Sequence, residues 1–256
     1  MKQWIQLTVP IDFATEQFEL MEGYRGCFEQ DSTLVAYFDN NEQTLNELHS
    51  FGPELIDKSA WEERWREFFV PVAIGGFVVV PPWRKDEGSF VINPARGFGT
   101  GHHETTQLAA AQMIQLIEDT TPRTLLDVGT GSGILAIMAK KKSKNLSVVG
   151  VDNDPDAIEN AIENADLNGV DDISLAVANI AEIDEGSDLV IANIISSILL
   201  VLRHDLIRLT KKHLILSGIL EKEKEKMIEA FQTNSLRFTG SVTQKKEWIA
   251  LVFEVK

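Results

Sequence analysis

Leu125-Leu126-Asp127-Val128-Gly129-Thr130-Gly131-Ser132-Gly133-Ile134-Leu135 is an apolar strand that runs into three glycines spaced two apart and then into a helix. That is the first strand-to-helix turn of a nucleotide-binding parallel sheet. Glycines let the backbone approach a ligand closely, and the helix start presents unpaired N–H groups. The spacing narrows the ligand. A dinucleotide fingerprint, GxGxxG, needs its third glycine at position 134, and position 134 is Ile. A pyrophosphate cradle is therefore disfavoured. No Gly-Lys-Ser/Thr follows, so the phosphate loop of nucleotide triphosphatases is also absent.

Outward from this turn the pattern alternates strictly. The sequence predicts a helix over 108–117, then strand 124–128, helix 134–142, strand 147–152, helix 155–168, strand 173–177, strand 188–193, helix 197–209 and strand 213–217. Strands alternating with helices give a parallel sheet with right-handed crossovers. Two final strands, 237–244 and 248–255, flank Lys245-Lys246-Glu247 as an antiparallel edge hairpin. Upstream, 72–92 is strand-rich (77–80 and 89–92), broken by Pro81-Pro82. Residues 57–69 place Trp61, Trp65 and Phe69 four apart, on one face of a connecting helix that Pro71 ends. Residues 1–56 read as a small α+β unit: strand 4–9, a helix capped by Asp12 through about Glu22, strands near 27–29 and 34–38, and a helix capped by Asn41 to about Phe51. That order suits a ferredoxin-like split βαβ unit. The expected organisation is thus a small domain over 1–56, a connecting helix over 57–69, and a Rossmann-like α/β domain over 70–256.

Length and composition set the outer bounds. The 256 residues are 44% hydrophobic and 25% charged, an ordinary globular balance with core enough to need no staples. One cysteine, Cys27, forbids an internal disulfide framework and any Cys-rich zinc site. The start lacks a signal peptide's apolar stretch, and no apolar run of about 18 residues exists, so no membrane partner and a cytoplasmic location are expected. The net charge is −15, which repels nucleic acid unless a local basic patch intervenes. The basic clusters at Lys140–Lys142 with Lys144, Lys211-Lys212 and Lys222–Lys226 read as solvated helix ends and faces. Residues 1–56 hold two cations, Lys2 and Arg25, against ten acids. Solubility explains such a charge; so does attraction of a basic partner.

Three further positions carry chemistry. Asp152 ends the second strand 19 residues past Gly133. An acid there accepts hydrogen bonds from both ribose hydroxyls of a bound nucleoside; its plainer duty is to cap the next helix, for which Asn153, Asp154 and Pro155 are better suited. Asn193 ends the fourth strand, where an amide can donate and accept toward cofactor and substrate together. The third is the loop Asn93-Pro94-Ala95-Arg96-Gly97-Phe98-Gly99-Thr100-Gly101-His102-His103-Glu104-Thr105-Thr106, a pliable lid or wall. Its two histidines lack the companions of a metal site, and no metal is expected.

In order and spacing, the glycine turn, Asp152, Asn193 and the terminal hairpin resemble class I S-adenosylmethionine-dependent methyltransferases over about 95–256. Gly97-Phe98-Gly99-Thr100-Gly101-x-His103-x-Thr105-Thr106 sharpens this to the PrmA family, methyltransferases of the large-subunit ribosomal protein L11. Trp61 and Trp65, Leu216-Ser217-Gly218-Ile219-Leu220 and Glu247-Trp248 are similar too, from about 57 onward; residues 1–56 match only in length and rough order. The resemblance implies S-adenosylmethionine as cofactor, contacted by Thr106, Gly129, Gly131, Asp152 and Asn193. It implies ribosomal protein L11 as substrate, methylated on lysine ε-amines or the N-terminal α-amine, and recognised by the small domain. It assigns no catalytic residue; Phe98 could wall the methyl group. Amide and adenine methyltransferases carry Asn-Pro-Pro-Tyr where this chain has Asn193-Ile194-Ile195-Ser196. A related lysine methyltransferase with another basic target and a non-catalytic S-adenosylmethionine-binding module are the alternatives. Nothing demands more than a monomer, and no direct readout of nucleic acid is expected.

Overall fold

The computed structural model describes residues 3–10, 24–30, 33–57, 69–94 and 100–256. By internal contacts the chain divides into two compact units, Met1–Phe69 and Val70–Lys256. Among the described residues no helix is long and apolar enough to cross a membrane.

In the first unit, β1 (Gln3–Pro10), β2 (Tyr24–Gln30), β3 (Thr33–Asp39) and β4 (Glu54–Asp57) form an antiparallel sheet in the order β2-β3-β1-β4. This is the strand order of a split βαβ unit. Alternation along β1 buries Ile5, Leu7 and Val9 against Ala36, Phe38 and Leu48, as a strand with one covered face requires. Leu48 comes from helix α1 (Glu42–Leu48), whose start is capped as its sequence predicts: Asn41 Oδ1 accepts from the Thr44 N–H at 2.8 Å. The edge strand β4 escaped the sequence reading, since Glu-Leu-Ile-Asp is too short and polar to show a period. The expected helix over 12–22, and the connecting helix with Trp61 and Trp65, fall outside the described residues.

The second unit is built on a seven-stranded sheet of β8 (Thr124–Val128), β9 (Ser147–Asp152), β10 (Ser174–Val177), β11 (Ser187–Asn193), β12 (Thr210–Leu220), β13 (Leu236–Lys245) and β14 (Trp248–Val255). Its order is β10-β9-β8-β11-β12-β14-β13. The first five are mutually parallel; β14 runs antiparallel to both β12 and β13. Both faces are covered, so the central strands are mostly apolar, with Asp127 in β8 and Asp188 in β11 the buried carboxylates. Leu125, Leu189, Ile191 and Ile215 face a cluster with helices α2 (Glu104–Thr120) and α3 (Ile134–Lys142). Leu126, Val190, Leu214 and Leu216 face the cluster of α5 (Ser196–Val201), α6 (Arg203–Leu209) and α7 (Lys224–Phe231). Helix α4 (Pro155–Leu167) follows β9. A small sheet, β5 (Val72–Ile74), β6 (Phe77–Val80) and β7 (Phe90–Val91), adds Ile74, Val79 and Phe90 to the α2–α3 cluster.

Two expectations need correction. The single helix over 197–209 is two helices meeting at Leu202 (φ −80°, ψ 0°). No glycine or proline in that stretch signals the break. Lys140 is not solvated. It is 8% exposed, with its ammonium donating to Leu146 O at 2.9 Å and paired with Asp172 at 2.7 Å. A buried cation with both partners in place avoids an uncompensated desolvation cost.

Candidate active site

The chain runs β8-β9-β10 toward one edge of the sheet and then returns to β11 and β12 on the other side. The reversal leaves a crevice at the carboxyl ends of β8 and β11, the place where open α/β sheets bind ligands. A cavity of about 650 Å³ opens there, within the range of small-molecule sites.

Its floor is the glycine turn after β8. Gly129, Gly131 and Gly133 all have left-handed φ, +68°, +54° and +77°, which side chains other than glycine rarely tolerate. The N–H groups of Gly129 and Thr130 both donate to Val151 O, at 2.9 and 3.0 Å, and that of Gly131 donates to Asp152 Oδ2 at 3.0 Å. Three donors that a phosphate would require are thus already engaged. Among the described residues lining the cavity there is no Lys, Arg or His, while Asp152 and Asp154 both stand on the wall. The described lining therefore disfavours a phosphate on the turn and favours a ligand that carries hydroxyls or positive charge on an apolar body.

Asp152 is half-buried, and its Oδ1 accepts from the Asp154 N–H at 3.1 Å. A carboxylate has about four lone-pair sites, so two backbone contacts leave capacity for a ligand. Asp152 does not cap α4; that duty falls to Asp154, whose Oδ1 accepts from Asp156 N at 2.9 Å, with Pro155 in the first turn. Beneath the turn Asp127 is 1% exposed. Burial pushes its carboxyl up to about 7, against the pull of the Thr130 hydroxyl, which donates to Oδ2 at 2.7 Å, and the Ala136 N–H; the nearby charge of Asp152 adds to the rise.

Asn193 closes the far wall. Its Nδ2 donates to Thr106 Oγ1 at 3.3 Å, and its Oδ1, shielded from solvent, has no partner among the described residues. A buried acceptor without a partner costs roughly 1–3 kcal/mol, and such groups call for an explanation. Thr106 is fully buried behind Asn193 and does not itself line the cavity. Of the residues expected at the site, Gly129, Gly131, Asp152 and Asn193 line one cavity, and Thr106 supports it from behind. Phe98 falls outside the described residues.

His102 and His103 are structural. The His102 ring bridges Thr100 Oγ1 at 3.3 Å and Val70 O at 2.9 Å. His103 Nδ1 accepts from the Thr105 N–H at 3.3 Å as the cap of α2, and its ring meets Trp248 edge-on at 5.0 Å. Among the described residues no cluster of His, Cys, Asp and Glu could hold a metal ion. The sequence reading missed Asn179 and Ile180, which lie just after β10, and Ile195, Ile198 and Leu202, which lie after β11. The strand-end rule that found Asp152 and Asn193 points equally to the residues after β10; there the strand ends on Val177, and the amide of Asn179 comes two residues later.

The family described as ribosomal protein L11 methyltransferase (PrmA) matches residues 9–256, reaching well ahead of residue 57 and into the small unit. The chain is 38% identical over 254 residues to a ribosomal protein L11 methyltransferase of Caldicellulosiruptor bescii, covering 92% of this chain and 82% of that one. A relative of the same name from Myxococcus xanthus is 33% identical over 246 residues, covering 91% and 85%. The crystal structure of a ribosomal protein L11 methylase from Lactobacillus delbrueckii subsp. bulgaricus superposes with a TM-score of 0.63 at 35% identity, covering 70% of this chain and 94% of that one. With a glycine turn, a strand-end acid and a strand-end amide gathered on one cavity, and with a match that spans nearly its whole length, the chain belongs to the PrmA family of ribosomal protein L11 methyltransferases.

Proposed function

We propose that this protein transfers methyl groups from S-adenosylmethionine to amines of ribosomal protein L11, with Gly129, Gly131, Asp152 and Asn193 holding the donor and Thr106 holding Asn193. The observation that carries the reading is the cavity itself. It has acids and, among the described lining residues, no cation; its turn donors are engaged where a phosphate would need free ones, and a strand-end amide stands on its wall. A nucleoside with a positively charged side arm fits these features. Asp152 has lone pairs left for ribose hydroxyls, and the glycine turn has no Cβ to keep the adenosyl group at a distance.

When bound, the donor supplies an electrophilic methyl on a good leaving group, so positioning accounts for most of the rate. An ε-amine, ordinarily protonated at neutral pH, attacks only when neutral. An apolar surround favours that form, and Ile194, Ile195 and Ile198 supply it on the Asn193 side. The Asn193 amide, on the cavity wall, orients the amine so that the nitrogen lone pair faces the methyl. No strong base is required. The small unit, whose acids outnumber its cations, recognises the basic substrate, and the compartment is the cytoplasm, where a ribosomal protein is met.

The test is Asp152→Ala. Losing a charge-assisted pair of hydrogen bonds lowers donor affinity by about a hundredfold, measured by calorimetry, and mass spectrometry shows L11 left unmethylated. Unchanged affinity in a folded variant would overturn the assignment.

A further inference from the structure

The wall that carries Asn193 leaves β11 through Ile194-Ile195 and enters α5, a helix of six residues whose first turn has no side-chain cap of its own. Ile195 is 60% exposed at the cavity mouth. A short uncapped helix entered by an exposed turn is a poor platform for placing an amine within tenths of an ångström. The structure holds it from the outside. Ser196 Oγ donates to Glu223 Oε1 at 2.7 Å, and the second oxygen of the same carboxylate accepts from the Leu220 N–H at 3.2 Å. Glu223 therefore ties the start of α5 to the segment after β12. The end of β12 itself grips its neighbours at two more points: the Ile194 N–H donates to Ser217 O at 3.2 Å, and Ser217 Oγ donates to Thr105 O at 2.9 Å. The stretch from Ser217 to Glu223 thus brackets both Thr105-Thr106 and Asn193–Ser196. Within it, the Glu223 side chain is the one that reaches the far end of the turn.

We propose that Glu223 is a positioning residue of the methyl transfer, acting through the Ser196 hydroxyl to fix the Ile194-Ile195 turn and with it the Asn193 amide. The proposal rests on the reading that the amine meets the donor beside Asn193. Glu223 touches neither; it sets the angle at which Asn193 and Ile195 face the cavity. The donor's ribose end, held by Asp152 and the glycine turn, does not depend on it.

The test compares Ser196→Ala, Glu223→Ala, their double variant and Ser196→Thr in the full chain, with L11 and S-adenosylmethionine. Each alanine variant lowers kcat by about tenfold while donor Kd stays within about twofold, because misplacement of a reacting group costs rate rather than ground-state binding. The thermal midpoint moves little. The double variant is no worse than Glu223→Ala, which already removes the Ser196 contact. Ser196→Thr, which keeps the hydroxyl, restores kcat. Unchanged kcat, additive losses, or a kcat loss matched by equal losses in donor affinity and thermal midpoint would overturn the role. A wild-type chain that fails to methylate L11 sinks the functional reading and this proposal together; wild-type transfer with unaltered variants sinks only the assignment of Glu223.

Discussion

Asp127 lies under the glycine turn with its carboxyl raised to about 7 by burial. Its folded-state value lies above the unfolded one, so between 3.8 and about 7 the native chain binds more protons than the unfolded chain. That contribution to stability is complete at low pH and is lost as pH rises through about 7. It amounts to a few kcal/mol at most. Asp127→Asn removes it: thermal midpoints taken from mildly acidic to mildly alkaline buffer fall more steeply for the wild type than for the variant. Identical slopes would show that Asp127 does not titrate in this window. Residues such as Asp152 and Asn193 were legible in the sequence because their place is fixed by local spacing, at the last position of a strand. Thr106 came only through resemblance, since its part is set by the hydrogen bond to Asn193, 87 positions away. Ser196 and Glu223 were invisible for the same reason. Polar residues in a helical stretch look like surface until the partner is seen.

The β11 exit is shaped by Gly218, inside the end of β12. Its φ is +84°, and a Cβ there would stand 2.3 Å from the backbone oxygen of Ile194. The Ile194 N–H donates to Ser217 O, and that anchor in the adjoining peptide leaves the carbonyl little room to give way. Gly218→Ala is therefore expected to destabilise the protein by about 2 kcal/mol or more, from forced left-handed geometry and overlap together. A lowered denaturant midpoint with an unchanged m value is the signature; an unshifted midpoint would mean that the turn relaxes freely. Strands β8, β9 and β14 matched their sequence limits because covered strands are continuous apolar runs between turn signals. Helix α2 begins at Glu104 rather than 108, since His103, an unusual cap, starts it. The division at Leu202 and the short strand β4 arise from packing and pairing across the chain, and neither leaves a local mark.

All described residues that line the cavity lie between Val128 and Leu202, inside the second unit. We expect residues 70–256 alone to bind S-adenosylmethionine about as tightly as the full chain but to methylate L11 at least tenfold more slowly, the lower end of what lost electrostatic steering costs. Calorimetry and a methylation time course at low and high salt check this; full activity in the shortened chain would remove the substrate role from the small unit. The architecture of the larger unit was readable from alternation alone, whereas the split βαβ order of the smaller one needed the pairing of β4 with β1 to complete it. A cavity whose described lining all comes from the larger unit has a further consequence. On the proposed function, spent donor departs and a fresh molecule arrives without calling on the residues that would grip the polypeptide. Under that reading one visit is expected to add more than one methyl to the same acceptor, seen by mass spectrometry as multiply methylated L11 beside unmodified protein at early time points.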